Sequence, residues 1–340
     1  MSDNILEKYI IQHIEASTDQ VIMFSWHGGE PTLAGIDFFR KAVKFQDKYK
    51  PSGTSIINGI QTNGTLLDDE WCTFLANANF IVGISIDGPG ELHNKHRRIS
   101  KKEPSLAHVL NGYNLLRKYN INTEILCVLN SYNVKYPHIV YDFFKQLGAV
   151  FITFLPLVIP VRESTSLVSP DSVSADEFGQ FLIKVFDDWI EKDIGKIKIQ
   201  IFEEAARTAF NQDHTLCIFK ANCGGVPVIE HNGDFYSCDH FVDNDHCLGN
   251  IADKSIAYFL DSPGQTAFGV AKSATLPRYC IECHVKEMCN GECPKNRFIN
   301  TPDGEPGLNY LCSGYKLFFT HCQPFIEAIR SEWRQQVNPL

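Results

Sequence analysis

Eight of the chain's twelve cysteines form one C-terminal constellation, and their spacing constrains the fold and chemistry more than any other feature. Cys217, Cys223 and Cys238 come first, then Cys280-x2-Cys283-x5-Cys289-x3-Cys293, then Cys312. Four soft ligands within fourteen residues are too crowded for four independent disulfide partners and well placed to wrap a metal centre. Eight thiolates are enough for two four-cysteine sites, which suit iron-sulfur clusters and also zinc. The opening Met1-Ser2-Asp3-Asn4 has no basic segment leading into an apolar stretch, so no secretory signal is read and a cytoplasmic, reducing location is expected. There, clustered thiols point to metal rather than to disulfides.

The 340 residues, 44% hydrophobic and 21% charged, leave room for more than one globular domain. A net charge of −9 argues against a nucleic-acid or anionic-membrane surface. The richest apolar run, Phe151 to Val161, is short and carries two prolines, so no membrane-spanning helix is expected. A small molecule or a peptide remains as the partner.

Up to about residue 160 the chain repeats a β-branched, apolar run followed by an amphipathic segment, the pattern of consecutive βα units and a parallel sheet. Strands are expected at Val21–Trp26, Ser55–Gln61, Ile81–Ile86, Thr123–Leu129 and Val150–Phe154. Helices are expected at Ile36–Lys48, Asp68–Ala78, Ser105–Lys118 and Tyr136–Leu147. A helix comes first, with Ile5, Leu6, Tyr9, Ile10 and Ile14 on one face, although an α/β barrel would normally open with a strand. Arg162–Ser174 reads as a surface linker, followed by a helix over Asp176–Glu191. Past Cys217 the regularity fades, which suggests a small domain organised by metal more than by a hydrophobic core. Asn232-Gly233 is expected to turn a hairpin whose second strand delivers Cys238. The expected division is 1–165 for the barrel, 166–210 for a connecting helical region that completes it, and 211–340 for the cysteine-rich domain with a C-terminal helix.

Ligands of parallel α/β folds bind at the carboxyl ends of the strands. Four such loops are unusual here: His27-Gly28-Gly29-Glu30-Pro31, Gln61-Thr62-Asn63-Gly64, Ser85-Ile86-Asp87-Gly88-Pro89 with His93 and Arg97 beyond it, and Leu155-Pro156-Leu157. Each alone reads more readily as an ordinary turn, and Arg97 as a solvated surface cation, than as a ligand site. Together they could supply acceptors for an ammonium, from Glu30 and nearby carbonyls, and donors for a carboxylate, from Ser85 and Arg97.

Trp26-His27-Gly28-Gly29-Glu30-Pro31-Thr32-Leu33, Gln61-Thr62-Asn63-Gly64, Ser85-Ile86-Asp87-Gly88-Pro89 and the eight cysteines together resemble the anaerobic sulfatase-maturating enzymes. These are radical S-adenosylmethionine (SAM) enzymes with a C-terminal domain of the SPASM type. The resemblance implies an α/β fold, a partial parallel (β/α) barrel of the radical SAM type, here lacking its first strand, plus the small cysteine-rich domain. It implies that Gly28, Gly29, Glu30, Ser85 and Arg97 bind SAM, with Leu157 near the adenine. It also implies an auxiliary [4Fe-4S] cluster on Cys217, Cys223, Cys238 and Cys293, and a second on Cys280, Cys283, Cys289 and Cys312. Asp239 matches the proposed base that deprotonates the target residue as a 5′-deoxyadenosyl radical takes its β-hydrogen; an auxiliary cluster then accepts the electron. The implied partners are a sulfatase polypeptide, whose cysteine or serine becomes formylglycine, and a reductant such as flavodoxin or ferredoxin.

Two departures stand out. Family members carry a Cys-x3-Cys-x2-Cys loop after the first barrel strand to hold the SAM-cleaving cluster, and residues 1–340 contain none. The expectation is therefore an N-terminally incomplete chain that generates no radical as it stands, with the third cluster belonging to a full-length form. The remaining cysteines do not replace that loop: Cys72, Cys127 and Cys247 read as buried small hydrophobes and Cys322 as a surface thiol. The second departure is His27, where many members carry glutamine. The rival readings are a related SPASM-type maturase acting on another peptide, and a non-enzymatic remnant binding clusters or zinc.

Overall fold

The computed structural model describes residues 1–161 and 166–337. After helix α1 (Asp3–Ala16), capped by the Ser2 hydroxyl, come β1 (Val21–Trp26), α2 (Ile36–Tyr49), β2 (Ser55–Thr62), α3 (Asp69–Asn77) and β3 (Phe80–Ser85). The series continues with α4 (Leu106–Lys118), β4 (Thr123–Leu129), α5 (Pro137–Gln146), β5 (Phe151–Pro156), α6 (Ala175–Lys192), β6 (Lys198–Ile199) and α7 (Gln200–Arg207). The six strands form one sheet in chain order, with parallel registers running Val21 to Ser55 and Ile125 to Ile152. Helical crossovers make that order the natural one. Every expected strand and helix of this region is present, with ends within two residues. The two-residue β6 and a short exposed ribbon, Arg98–Ser100 with Glu103–Pro104, are too brief for a periodic signal.

Of the expected linker Arg162–Ser174, residues 162–165 lie outside the described residues. Ser166, Leu167, Pro170 and Asp171 are exposed as expected, but the segment is held down at its end. Ser172 and Val173 are buried, and Val173 N donates to Leu157 O at 3.0 Å, so backbone pairing draws the segment onto the chain leaving β5.

The chain forms two compact units, one of Met1–Gly83, Asn111–Thr123 and Asn222–Ala274, the other of Ile84–Leu110, Glu124–Ala221 and Thr275–Leu340. In the first, β1 alternates strictly, burying Ile22, Phe24 and Trp26 and exposing Val21, Met23 and Ser25. Tyr9 of α1 and Phe38 and Phe39 of α2 meet Trp26 edge-on at 5.7–5.8 Å. The buried indole N–H donates to Asn58, which exchanges two amide bonds with Gln46, so the polar atoms in this core are matched.

The same unit contains β7 (Val228–Ile229), β8 (Asp234–Tyr236) and β9 (Cys247–Asn250) as an antiparallel sheet, with the expected turn at Asn232-Gly233 and Cys238 just past β8. Contrary to expectation this region has its own hydrophobic core: Phe235, Ile251, Ile256 and Phe259, packed with Ile5 and Tyr9. Gln12 of α1 fixes it through bonds to Ile251 O and Ile256 N. These apolar residues are too scattered along the chain to show periodicity. Helix α8 (Pro263–Ala274) follows.

The second unit is completed by α9 (Arg278–Ile281), α10 (Lys286–Cys289) and α11 (Cys312–Val337). α11 lies against α6 at a glycine contact; a Cβ on Gly179 would stand 2.7 Å from Gly314 O. Phe186, Phe202 and Phe318 form the aromatic core beside it. Cys322, expected at the surface, is fully buried, because it falls on the apolar face of α11 with its thiol bonded to Phe319 O. Cys72 and Cys127 are buried as expected, and Cys247 is half-buried.

Candidate functional site

In the first unit the loop after β1 turns at Gly28, whose φ of +138° only glycine adopts freely. A Cβ on Gly28 or Gly29 would meet no protein atom, so packing does not dictate glycine at Gly29; open backbone faces a space a ligand can enter. Glu30 secures the loop. Its Oε1 accepts from Thr32 N, Thr32 Oγ1 and Thr62 Oγ1 at 3.0, 2.6 and 2.7 Å, and Oε2 accepts from Asn63 N at 2.7 Å. Oε1 is saturated, while Oε2 keeps capacity for a cation. The Gln61-Thr62-Asn63-Gly64 turn is thus tied to the Gly-Gly loop, and α4 approaches it at Gly112, where a Cβ would stand 2.3 Å from Gly64 O.

Also in this unit, Asp239 follows Cys238, and its Oδ2 lies 3.7 Å from His27 Nε2, an ion-pair separation. Cys238 Sγ donates to Oδ1 at 3.3 Å. Burial works against the Asp239 charge, but His27, His240 and Cys238 outweigh it and hold the carboxyl at about 2. The same contact raises His27 despite its partial burial. Asp239 is therefore an ionised acceptor beside a thiol.

In the second unit the loop after β3 is built on Asp87, which is buried. Its Oδ1 accepts from Val128 N at 2.9 Å and its Oδ2 from Arg97 Nε at 2.5 Å. His93, fully buried, accepts from Asp87 N on Nδ1, so its proton sits on Nε2 facing Ser105 Oγ. Ser105 in turn donates to Arg97 O. Burial pushes His93 down to about 4, with Arg97 adding to the fall and Asp87 opposing it, so the ring is neutral. This closed network fixes Arg97 beyond Ser85. Leu157 leaves β5 with its N–H bonded to Leu129 O.

Cys223 and Cys238 belong to the first unit; Cys217, Cys293 and the other four belong to the second. Among the described residues none of the eight is joined in a disulfide. Cys280, Cys283, Cys289 and Cys312 line one cavity with Tyr279, Tyr315 and Lys316. Burial raises the Cys280 and Cys289 thiols and pushes Cys312 up to about 11, so in this setting a thiolate needs a cation to replace its proton. Four thiols lining one cavity fit the second cluster that the resemblance implies.

Sequence reasoning missed how the cysteine loop is held. Asn290, Gly291 and Glu292 are consecutive left-handed residues between Cys289 and Cys293. Arg297 donates to the carbonyls of all three. Buried Glu292 accepts from Asn309 Nδ2 at 2.5 Å and Asn296 Nδ2 at 3.3 Å. The Asn-Gly pair is the one sequence signal that marks this turn.

Two family models match the chain, the Radical SAM superfamily over residues 3–143 and an iron-sulfur cluster-binding SPASM domain over residues 223–284. A serine-type anaerobic sulfatase-maturating enzyme of Bacteroides thetaiotaomicron is 42% identical, over 100% of this chain and 85% of that protein. A cysteine-type enzyme of Clostridium perfringens is 31% identical over 95% of this chain and 87% of that protein. A solved structure, native anSMEcpe with bound AdoMet and Cp18Cys peptide, matches with a TM-score of 0.89 and 30% identity, covering 98% of this chain and 91% of that one. On these matches the chain belongs to the anaerobic sulfatase-maturating enzymes, radical SAM proteins with a SPASM domain.

Proposed function

We propose that the chain oxidises a serine or cysteine of a sulfatase polypeptide to formylglycine, working in the cytoplasm with a flavodoxin- or ferredoxin-type reductant. Residues 1–165 serve as the SAM barrel, 166–210 complete it, and 211–340 hold two auxiliary [4Fe-4S] clusters, one on Cys217, Cys223, Cys238 and Cys293 and one on Cys280, Cys283, Cys289 and Cys312. Bound SAM supplies the hydrogen-atom acceptor and the clusters take up the electron.

The observation that carries this reading is the ionised Asp239, set beside Cys238 and paired to His27. Glu30 Oε2 and the open Gly28-Gly29 backbone receive the ammonium of SAM, Ser85 and Arg97 its other polar groups, and Leu157 packs near the adenine. Asp239 Oδ1 accepts the substrate's hydroxyl or thiol proton as the β-hydrogen leaves. Cys238 as an iron ligand has no S–H to donate, which leaves Oδ1 to the substrate while His27 keeps Oδ2. Loss of that proton, one hydrogen atom and one electron turns a serine side chain into the aldehyde. Cysteine gives the thioaldehyde, which water converts to the aldehyde with release of hydrogen sulfide.

The test is mass spectrometry of a sulfatase-derived peptide incubated with SAM, a reductant and this chain preceded by a strand and Cys-x3-Cys-x2-Cys loop of family type. Loss of two hydrogens from serine, or exchange of the cysteine sulfur for oxygen, is expected, with Asp239→Asn abolishing it. An unaltered peptide alongside cleaved SAM would contradict the reading.

A further inference from the structure

His214 lies outside the site described above, yet it sits at the junction of two cysteine-bearing segments. Its side chain is 7% exposed, and that of Glu204, its partner from α7, is 2% exposed. Nδ1 stands 2.9 Å from Glu204 Oε2 and Nε2 stands 2.9 Å from the carbonyl oxygen of Glu287 in α10. Both partners are acceptors only. A neutral imidazole has one N–H, so both bonds exist only when the ring carries two.

The Glu204 carboxylate also accepts from Thr215 N, Thr215 Oγ1 and Leu216 N, gathering residues 214–216 and ending one residue before Cys217. Glu287 lies two residues before Cys289. The charged groups around the ring are Glu204 and Arg207 on α7, Glu287 on α10, and Arg330 on α11. Arg330 bonds Thr208 O at 3.0 Å and Glu287 Oε2 at 3.4 Å. Burial and Arg207 oppose the imidazolium, but Glu204 and the Glu287 carbonyl outweigh them and the net shift is upward. Glu204 is correspondingly held down, its bonds to His214, Thr215 and Leu216 outweighing burial. An apolar pair of similar volume would serve stability about as well as a buried ion pair. What this pair adds is direction, one donor toward each ligand segment.

We propose that His214 is a positioning residue that, as a double donor between Glu204 and Glu287, locks the segment presenting Cys217 to the turn presenting Cys289 so that both thiols are held for iron. This rests on the reading of Cys217 and Cys289 as cluster ligands. The consequence for pH has a definite sign. A raised folded value means the clamp is intact below the ordinary imidazole value of about 6.5 and is lost as pH rises through the raised value. Thiolate ligation alone has the opposite trend, since higher pH favours the deprotonated ligand.

The experiment is anaerobic iron release from the reconstituted full chain to a ferrous chelator, followed from about pH 6 to 9. Release from the wild type is expected to accelerate about tenfold or more across that range, in line with the loss of an outer-shell partner. His214→Gln is expected to release iron quickly throughout, with no rise toward alkaline pH. If that variant does not fold, the wild-type profile decides alone. Wild-type release that is flat or slows with pH, or a variant indistinguishable from wild type, would overturn the clamp while leaving the ligand reading intact. Failure of the wild type to take up iron would overturn both.

Discussion

His27 Nε2 stands 3.7 Å from Asp239 Oδ2, so within one compact unit an ion pair joins the loop after β1 to the turn after Cys238. The side chains are 53% and 25% exposed, and solvent screens the pair. Its value lies in orientation: with Oδ2 anchored, Oδ1 is the oxygen that the proposed mechanism assigns to the substrate proton. Glutamine, the residue that the family resemblance sets against His27, has a donor of similar reach.

His27→Ala is therefore expected to lower peptide conversion by about tenfold, a modest fraction of what a general base contributes, with SAM cleavage nearly unchanged. His27→Gln should restore most of the loss. The ratio of oxidised peptide to 5′-deoxyadenosine, measured in the form carrying the three-cysteine loop, checks this; equal losses of both would place His27 in SAM binding instead.

His93 gives a pH dependence of known sign. Its folded value near 4 lies below that of the unfolded chain, so its contribution is full above about pH 6.5 and lost as pH falls toward 4. Denaturant unfolding of the wild type should lose on the order of 2–3 kcal/mol over that interval beyond what His93→Gln loses. Parallel pH profiles would show that the Asp87, Arg97 and Ser105 network does not depend on a neutral ring.

Gly112→Ala places a methyl group 2.3 Å from Gly64 O and must push the Gln61-Thr62-Asn63-Gly64 turn away from α4. A loss of about 1–3 kcal/mol in unfolding free energy is expected. SAM affinity should fall with it, because Glu30 is tied to that turn through Thr62 and Asn63. Unchanged affinity would separate the turn from the SAM loop.

The sequence carried the parts of the fold that repeat. Five strands and their helices were legible because apolar alternation and helical stripes run long enough to show a period, and the loops were legible because their glycines stand where strands end. The cysteine pattern announced metal chemistry unaided. Illegible were features made by pairing across the chain. Val173 is buried by a backbone bond to Leu157, Cys322 by the face of α11 it occupies, and Phe235 and Ile256 meet only once the chain has folded. The Glu30 bonds to Thr62 and Asn63, the Arg297 grip on three left-handed carbonyls and the His27–Asp239 pair likewise join residues with no local signature. His27 drew notice only as a departure from relatives.

Cys283→Ala removes one of the four thiols around the cavity of the second unit. About half of the bound iron should be lost, with the cluster on Cys217, Cys223, Cys238 and Cys293 retained. Iron content unchanged from wild type would contradict the division into two four-cysteine sites.

The central claim is that eight cysteines of this chain hold two auxiliary clusters. Iron, acid-labile sulfide and zinc per chain after anaerobic purification and reconstitution test it most directly. About eight irons with matching sulfide are predicted, whereas zinc in their place without sulfide would contradict the account.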